Sequence, residues 1–400
     1  MDTARCRNMR GAGLAVMLLV GLVVVAAGCG SDDPTPTPAG AASTPTPALS
    51  EWDQLIADAQ EEGRLVVIGS GGGGSRMELV WDRFTDEFGI QTVVQRGSAR
   101  EHTDRLIAEQ AAGRFTADVG TIGGGTGATR AAPAGIFEET DGWLFLPEVV
   151  DRSNWFNGQH HYADLDEKYL FNHSAAFAHT IEFHVNTDKV SQAEIDAIQS
   201  IDDFLAPRWR GEIVGLTPME PGATTGYYEL YLMGETDWLQ TYVQDLDVGF
   251  FGDFRTVEDQ FAQGVYSICI LGCGDIEDLA DLGLPVETVR KDLGTVGTMV
   301  GGTSANVVHV MKDPANPNAA KLFVNWFLSR EGQTAVHDLV AEYSGRTSPN
   351  SLRLDVPKDN VDPAEIQEPG RDYVNIDAAE HVAKRDEIIA QVREWFQAAN

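Results

Sequence analysis

Three glycine-rich stretches are the places where this chain could do chemistry with its backbone. They are Gly69-Ser70-Gly71-Gly72-Gly73-Gly74-Ser75, Gly123-Gly124-Gly125-Thr126-Gly127, and the run Thr224-Thr225-Gly226 ahead of Tyr227. Each reads as a turn that opens a helix. The first turn of a helix presents N–H groups without intrahelical partners and the positive end of the helix dipole, which suits anions. Glycine lets a ligand approach that backbone, and the Thr225 hydroxyl adds a donor. A carboxylate, phosphate or phosphonate would suit such turns, and a neutral polyol would fit as well. None carries the Lys and spacing of a nucleotide-hydrolysing P-loop. A flexible strand–helix loop has the same composition, so one such turn says little and three say more.

Other residue sets are thinner. His160-His161 with Asp164 and Asp166 offers metal-ligand types, but after Asn157-Gly158 it reads as an exposed loop leading into a strand. Arg76 and Arg130 lie near glycine turns and could pair an anion, although a solvated Arg early in a helix is ordinary. Tyr227, Tyr228 and Trp155 could stack on a ligand, yet helical aromatics more often belong to a core. Thr303-Ser304 could line a cleft or be plain strand residues, and His173 and His179 read as structural. No Gly-x-Ser-x-Gly elbow and no His-Glu-x-x-His helix occurs. No catalytic residue, metal ligand or cofactor is expected.

The elements that would position these residues alternate. Ser50 reads as the cap of a helix with Trp52, Leu55, Ile56 and Ala59 on one face and Gly63 as its stop. Leu65-Val66-Val67-Ile68 is a short buried strand, and the helix after the first glycine turn carries Leu79, Val80, Phe84 and Phe88 inward. A strand over 90–94, a helix over 100–112 and a strand over 117–119 follow. Further on, helices are expected over 191–205, 227–233, 238–246, 319–329, 332–341 and 382–399, with strands over 212–216, 265–271 and 307–311. Strands alternating with helices predict an α/β fold with both sheet faces covered.

Charge narrows the function classes. The 400 residues carry 29 Lys+Arg against 61 Asp+Glu, a formal charge of −32. Phosphate backbones need clustered cations, so nucleic acid is excluded as a partner, and an anionic membrane surface would repel the globule. With 17 Phe, 8 Trp and 9 Tyr the chain is too aromatic to be a disordered acidic one. Its length favours two lobes.

The first thirty residues stand apart. Arg5, Arg7 and Arg10 precede an uncharged stretch over 11–28 that ends Val25-Ala26-Ala27-Gly28-Cys29, the layout of a secretory signal. An uncleaved transmembrane anchor is the alternative. Residues 29–50, with their Thr-Pro repeats, read as an extended tether. Cys6 goes with the signal, which leaves Cys269 and Cys273 in the folded part. Export permits disulfides, but Cys269 lies in the apolar run Tyr266-Ser267-Ile268-Cys269-Ile270-Leu271 and reads as a buried strand residue. Two buried thiols are therefore expected rather than a bridge. The pair is too isolated for a metal site.

Two resemblances add to this. Ala26-Ala27-Gly28-Cys29 resembles the bacterial lipobox, with Ala26 where Leu is usual, which implies lipidation of Cys29. Over about residues 50–400 the chain resembles the substrate-binding lipoproteins of bacterial ABC importers, in the ferric-iron or family 1 extracellular solute-binding branch. The phrases that carry it are Glu61-Glu62-Gly63-Arg64-Leu65-Val66-Val67, Glu109-Gln110-Ala111-Ala112-Gly113-Arg114 and Ala117-Asp118-Val119. They continue with Val185-Asn186-Thr187 and Phe204-Leu205-Ala206-Pro207-Arg208-Trp209-Arg210-Gly211. Last come Pro314-Ala315-Asn316-Pro317-Asn318-Ala319-Ala320-Lys321-Leu322-Phe323 and Leu328-Ser329-Arg330-Glu331-Gly332-Gln333.

The resemblance implies the type 2 periplasmic binding protein architecture: two α/β lobes joined by two crossing strands, with a ligand cleft between them. One lobe would hold residues 51–178 and 304–354, the other 179–303 and 355–400, with crossings near 178–180 and 302–304. It further implies a monomer that is not an enzyme, that closes on a small solute by hinge motion and delivers it to transmembrane permease subunits. A lipid anchor would hold it outside the cytoplasmic membrane. Ferric-iron chemistry does not carry over. Where the family's iron binders supply a His, a Glu and a Tyr-Tyr pair, this chain has Gly69-Ser70-Gly71-Gly72, Gly123-Gly124-Gly125 and Gly272-Cys273-Gly274. Tyr227-Tyr228 opens a helix and is not that pair. Thr225-Gly226-Tyr227 falls where those relatives hold a synergistic anion. The expected site is therefore Ser70, Gly71, Gly72, Gly124, Gly125, Thr126, Thr225, Gly226, Tyr227, Cys273 and Thr303 around a small organic, anionic solute. A ferric-iron binder of the same fold is the nearest alternative. A secreted hydrolase, or a structural lipoprotein whose own side chains fill the cleft, are alternatives of another class.

Overall fold

Capping chemistry sets the first elements of the structure. Ser50 Oγ accepts the Asp53 N–H at 3.1 Å and opens helix α1 (Glu51–Glu62), which Gly63 closes at φ 68°. Ser98 Oγ likewise accepts the Glu101 N–H at 3.2 Å at the start of α4. The computed structural model describes residues 50–399 apart from Pro221, Gly222, Gly274, Asp275, Thr295, Gly345 and Arg346. The signal-like segment, Cys29 and the Thr-Pro tether lie outside the described residues. No helix among the described residues is long and apolar enough to cross a membrane.

In the first half the strands are β1 (Arg64–Ser70), β2 (Gln91–Gly97), β3 (Val119–Gly120), β4 (His161–Tyr162), β5 (Phe171–Asn172), β6 (Ala176–Ala178) and β7 (Ile181–Asn186). The second half adds β8 (Ile213–Leu216), β9 (Gly249–Phe251), β10 (Ile268–Cys269), β11 (Val286–Lys291), β12 (Gly297–Val300), β13 (Val307–Val310) and β14 (Tyr373–Asn375). After α1 the helices are α2 (Gly71–Ser75), α3 (Glu78–Phe88), α4 (Ala99–Ala111), α5 (Gly124–Thr126), α6 (Pro147–Val150) and α7 (Gln192–Ala197). The remainder are α8 (Thr224–Gln244), α9 (Phe254–Ala262), α10 (Ile276–Asp281), α11 (Pro317–Leu328), α12 (Arg330–Ser344) and α13 (Ala379–Ala399).

Three sheets organise them. The N-lobe sheet runs β2-β1-β3-β13-β5-β4 and the C-lobe sheet β11-β7-β10-β8-β9, while β14-β12-β6 form a third sheet at the crossing. In the N-lobe β1 pairs parallel with β2 and β3, and β13 joins antiparallel, His309 opposite Gly120. At the crossing β12 lies antiparallel to β6 and parallel to β14, so the C-terminal return adds a third strand to the two expected. Each lobe has its own apolar core. Trp81, Phe84, Phe323 and Trp326 centre one, and Phe183, Phe204, Tyr242 and Phe261 the other, against which α13 packs Ile388, Ile389 and Val392.

Phrases far apart in the sequence meet at buried carboxylates. Asp118 is fully buried and accepts from Val66 N at 2.7 Å, Asn316 N at 2.8 Å and Asn316 Nδ2 at 2.9 Å. Burial holds its carboxyl above the usual range despite those donors. Glu62, ending α1, accepts from Asn318 N at 3.1 Å and Ala319 N at 2.8 Å, and so caps α11 from another element.

Four sequence expectations are corrected. The helix over 191–205 is interrupted: a capping box of Ser191 and Glu194 opens α7, and a second of Ser200 and Asp203 starts a separate 3₁₀ turn over Ile201–Leu205. Side-chain bonds to backbone there displace helix continuation. The strand over 265–271 shrinks to β10, and Cys269 and Cys273 form a disulfide instead of remaining thiols. Leu271 and Gly272 adopt φ 75° and 73°, so the apolar run conceals a reversal that returns one sulfur to the other. His160 and His161 are buried rather than in an exposed loop. His160 packs against Trp155 and Phe171 and bonds Asp141 at 3.0 Å, while His161 bonds Phe156 O at 2.9 Å. With Tyr162, His160 holds the Asp141 carboxyl down at about 2.

Candidate functional site

In the N-lobe the glycine turns meet one another. Ser70 ends β1 with its hydroxyl donating to Thr121 O at 2.6 Å and its N–H to Thr121 Oγ1 at 3.3 Å. Gly124 N donates to Gly302 O at 2.6 Å, which ties α5 to the return crossing. The turns fit because they lack Cβ atoms. A Cβ at Gly73 would lie 2.2 Å from both Ser304 O and Thr121 Oγ1, one at Gly69 would lie 2.6 Å from Gly74 Cα, and one at Gly123 would lie 2.8 Å from Ser304 N. Gly71, at φ 47°, would place a Cβ 2.9 Å from Ser304 Oγ. Gly125 has open space beside it. Asp377 Oδ2 accepts from Gly301 N at 2.9 Å and Gly302 N at 2.7 Å, so the chain's own carboxylate already occupies that pair of donors.

Beneath these turns lie buried imidazoles. Ile122 N donates to His309 Nε2 at 2.8 Å, while His309 Nδ1 is buried without a hydrogen-bond partner among the described residues. Burial pushes His309 down to about 3 and His173, whose Nε2 meets Ala305 O at 3.1 Å, down to about 4. Both rings are neutral at pH 7.

The C-lobe presents a helix start. Ala223 stands at the N-cap of α8 without a side-chain cap bond, and Thr225 and Gly226 in the first turn are half-buried. The neighbour of Gly226 is a side chain: a Cβ there would lie 2.4 Å from Leu271 Cδ2. Gly272 fits against Leu216, and the Cys269–Cys273 disulfide closes this loop. Tyr227 is fully buried and donates its hydroxyl to Leu216 O at 2.8 Å, while Tyr228, also buried, bonds His381 Nδ1 at 2.7 Å. Both rings are core residues in this structure. One turn further on, half-buried Glu229 has no hydrogen-bond or ion-pair partner among the described residues, and burial lifts its carboxyl to about 7. Helix α8 breaks at Glu235, φ 57°, between the two helices read from the sequence.

Of the expected residues, Ser70, Gly71, Gly124 and Thr303 thus fall on contiguous N-lobe segments, and Thr225, Gly226, Tyr227 and Cys273 on two adjoining C-lobe segments. Gly72 lies in α2, and Gly125 and Thr126 in α5. Thr303 is exposed beside the crossing, where it lines a cavity of about 380 Å³ together with Arg76. Arg130 pairs with Asp104 instead. Among the described residues no group of three or more His, Cys, Asp or Glu side chains is placed to hold a metal ion. Sequence reading missed Thr121, Leu271, Glu229 and Asp377. Only Asp377 had a partner with a signal, the Gly301-Gly302 pair that leaves room for it.

Comparison with known proteins places this geometry. No protein-family model matches the chain, and no curated protein sequence does. Solved structures match over most of its length. An IdiA (FutA) protein from Trichodesmium, in complex with iron and citrate, is 18% identical, covering 84% of this chain and 99% of that one at a TM-score of 0.55. The spermidine/putrescine ABC transporter substrate-binding protein PotD from Streptococcus pneumoniae is 15% identical, covering 83% and 99% at 0.51. The periplasmic binding protein AfuA from Actinobacillus pleuropneumoniae, with fructose-6-phosphate bound, is 19% identical, covering 84% and 99% at 0.50. The fold of this chain is that of the periplasmic binding proteins.

Proposed function

We infer that the chain is the extracytoplasmic substrate-binding component of an ABC importer, and that it captures a small organic, anionic solute between its lobes. The observation that carries this reading is the crossing sheet β14-β12-β6 between two separately cored lobes, each offering strand–helix turns and their N–H groups. Hinge closure would bring the α8 start and the Thr303-Ser304 crossing around the solute, and the closed form would dock on permease subunits. Lipidation at Cys29 would keep the globule at the membrane. The protein binds and releases without turnover. Its relatives in fold bind iron with citrate, a polyamine or a sugar phosphate, so fold alone names no solute. An iron reading gains nothing from Tyr227-Tyr228, whose hydroxyls are bonded within the core.

Thermal-shift measurements on the full-length chain test this. Organic anions, zwitterions, sugar phosphates, polyols, polyamines and ferric citrate form the panel. At a hundredfold excess over Kd a ligand stabilises by about 2.7 kcal/mol, a clear rise in melting temperature. No rise with any member would remove the reading; a rise with ferric citrate alone would replace it by the iron alternative.

A further inference from the structure

The cavity beside the crossing sheet is lined by two residues of opposite charge, Arg76 and Glu365, neither of which has an ion-pair partner among the described residues. Its volume is about 380 Å³, within the range of small-molecule sites. Ala176 and Val300, opposite one another on β6 and β12, form part of its wall. The polar part of that wall is braced: Ser174 Oγ donates to Asn306 Oδ1 at 3.0 Å and Asn350 Nδ2 to Glu365 O at 2.7 Å. Lys358 Nζ, which donates to Asn350 Oδ1 at 2.8 Å, is therefore committed to the brace. Arg76 reaches the cavity from the end of the first glycine turn and makes no ion pair or hydrogen bond among the described residues. The Glu365 carboxylate has no cationic partner among them either, and burial together with Asp362 holds its carboxyl above the usual range. Thr303 and Thr347 line the same space.

We propose that this cavity is the solute subsite and that the solute is a small zwitterion, its carboxylate or phosphate on Arg76 with the two threonine hydroxyls and its ammonium on Glu365. Both residues are exposed, so water solvates each; an anion alone would gain Arg76 but lie near the like charge of Glu365, and a cation alone would gain Glu365 but lie near Arg76. A zwitterion satisfies both and brings no net charge to a chain of −32. The proposal rests on the solute-binding reading above and sharpens it, because Thr303 belongs to both.

Calorimetric titration of the full-length chain decides the matter, with glycine, 4-aminobutyrate and phosphoethanolamine as zwitterions and acetate, inorganic phosphate and ethanolamine as their halves. At least one zwitterion is expected to bind tenfold or more tightly than either of its halves. Arg76→Met and Glu365→Gln, both solvent-facing changes, should each weaken it at least tenfold without moving the melting temperature of the free protein. A zwitterion bound equally well by Arg76→Met overturns the proposal. So does silence of all three zwitterions while an organic anion, sugar phosphate, polyol or polyamine raises the melting temperature in the thermal-shift panel, an outcome that leaves the solute-binding reading in place. Silence of the zwitterions and of the whole thermal-shift panel removes both.

Discussion

At Gly73 of the N-lobe the nearest neighbours of an added Cβ are Ser304 O and the Thr121 side chain, both at 2.2 Å; at Gly226 of the C-lobe they are the methyl groups of Leu271. Gly69, Gly73, Gly123 and Gly124 of the first lobe are there so that backbone can pack on backbone. Those turns form a rigid floor whose N–H and C=O groups are partly spent on one another, as Gly124 and Gly302 illustrate. In the second lobe the neighbour of the α8 start is a side chain, Leu271, and a disulfide closes the loop that carries it. A glycine-rich turn therefore has two meanings, close packing or ligand access, and only its neighbours distinguish them.

The largest effect should come from breaking the floor. Gly73→Ala forces a Cβ into a backbone oxygen that cannot rotate away, and overpacking of this kind costs about 3 kcal/mol. Urea denaturation would read the loss as a lower midpoint at unchanged slope. A loss below about 1 kcal/mol would mean that the turn relaxes and the floor is not rigid.

Buried histidines of the N-lobe and a buried carboxyl of the C-lobe should also answer pH with opposite sign. His309 and His173 are held below the usual 6.5, at about 3 and about 4. Their neutral forms stabilise the N-lobe fully above pH 6.5, and that contribution is lost as pH falls toward 4 and 3. Glu229 is lifted from 4.5 to about 7. Its protonated form stabilises the C-lobe fully below pH 4.5, and the contribution is lost as pH rises to 7. Each group contributes a slope of at most about 1.4 kcal/mol per pH unit. Accordingly His309→Gln should flatten the acid limb of a stability–pH curve, and Glu229→Gln should raise stability at pH 8 and leave pH 4 unchanged. If both substitutions altered the same limb, the assignment of opposite signs to the two lobes would fail.

How much of this was legible in the sequence follows from the range of the forces involved. Caps such as Ser50 with Gly63 act within a few residues, so α1 could be placed from its own letters. The crossing strands β6 and β12 were expected only from the family likeness, a few residues further on, and β14 escaped notice, because all three are short and their pairing is set by chain returning from far away. The glycine turns were legible, since a missing side chain shows in the sequence. What fills each gap was not legible, because Ser304 opposite Gly73 and Leu271 opposite Gly226 are choices of tertiary packing. The disulfide was misread for the same reason: local apolarity implied a strand, and the positive φ of Leu271 has no sequence mark.

Opening the Cys269–Cys273 disulfide should act on the C-lobe alone. It closes a loop of five residues, for which chain entropy gives about 2 kcal/mol. Cys269→Ser with Cys273→Ser should lower the urea midpoint accordingly, and a reductant should do the same to the unsubstituted chain and nothing further to the double variant. Solute affinity separates two roles for the bridge. If Leu271 covers the α8 start only because the disulfide holds it there, the double variant loses affinity beyond its loss of stability. Unchanged affinity would make the bridge a purely structural brace.

The smallest effects test the contrast most sharply, because they compare glycines that differ only in neighbours. Gly125→Ala adds a methyl into open space and should change stability by less than about 0.5 kcal/mol. Gly226→Ala drives a methyl toward Leu271 Cδ2, the free end of a side chain with other rotamers, and should cost about 1 kcal/mol at most. Alanine also favours the helical backbone of α8 over glycine by roughly 0.8–1.0 kcal/mol, which offsets the clash. Gly226→Ala is thus predicted near neutral in stability while it displaces Leu271 over the helix start, so its mark should fall on solute affinity. A stability loss equal to that of Gly73→Ala would show that Leu271 is as fixed as a backbone oxygen, and the distinction between a rigid floor and an adjustable cover would disappear.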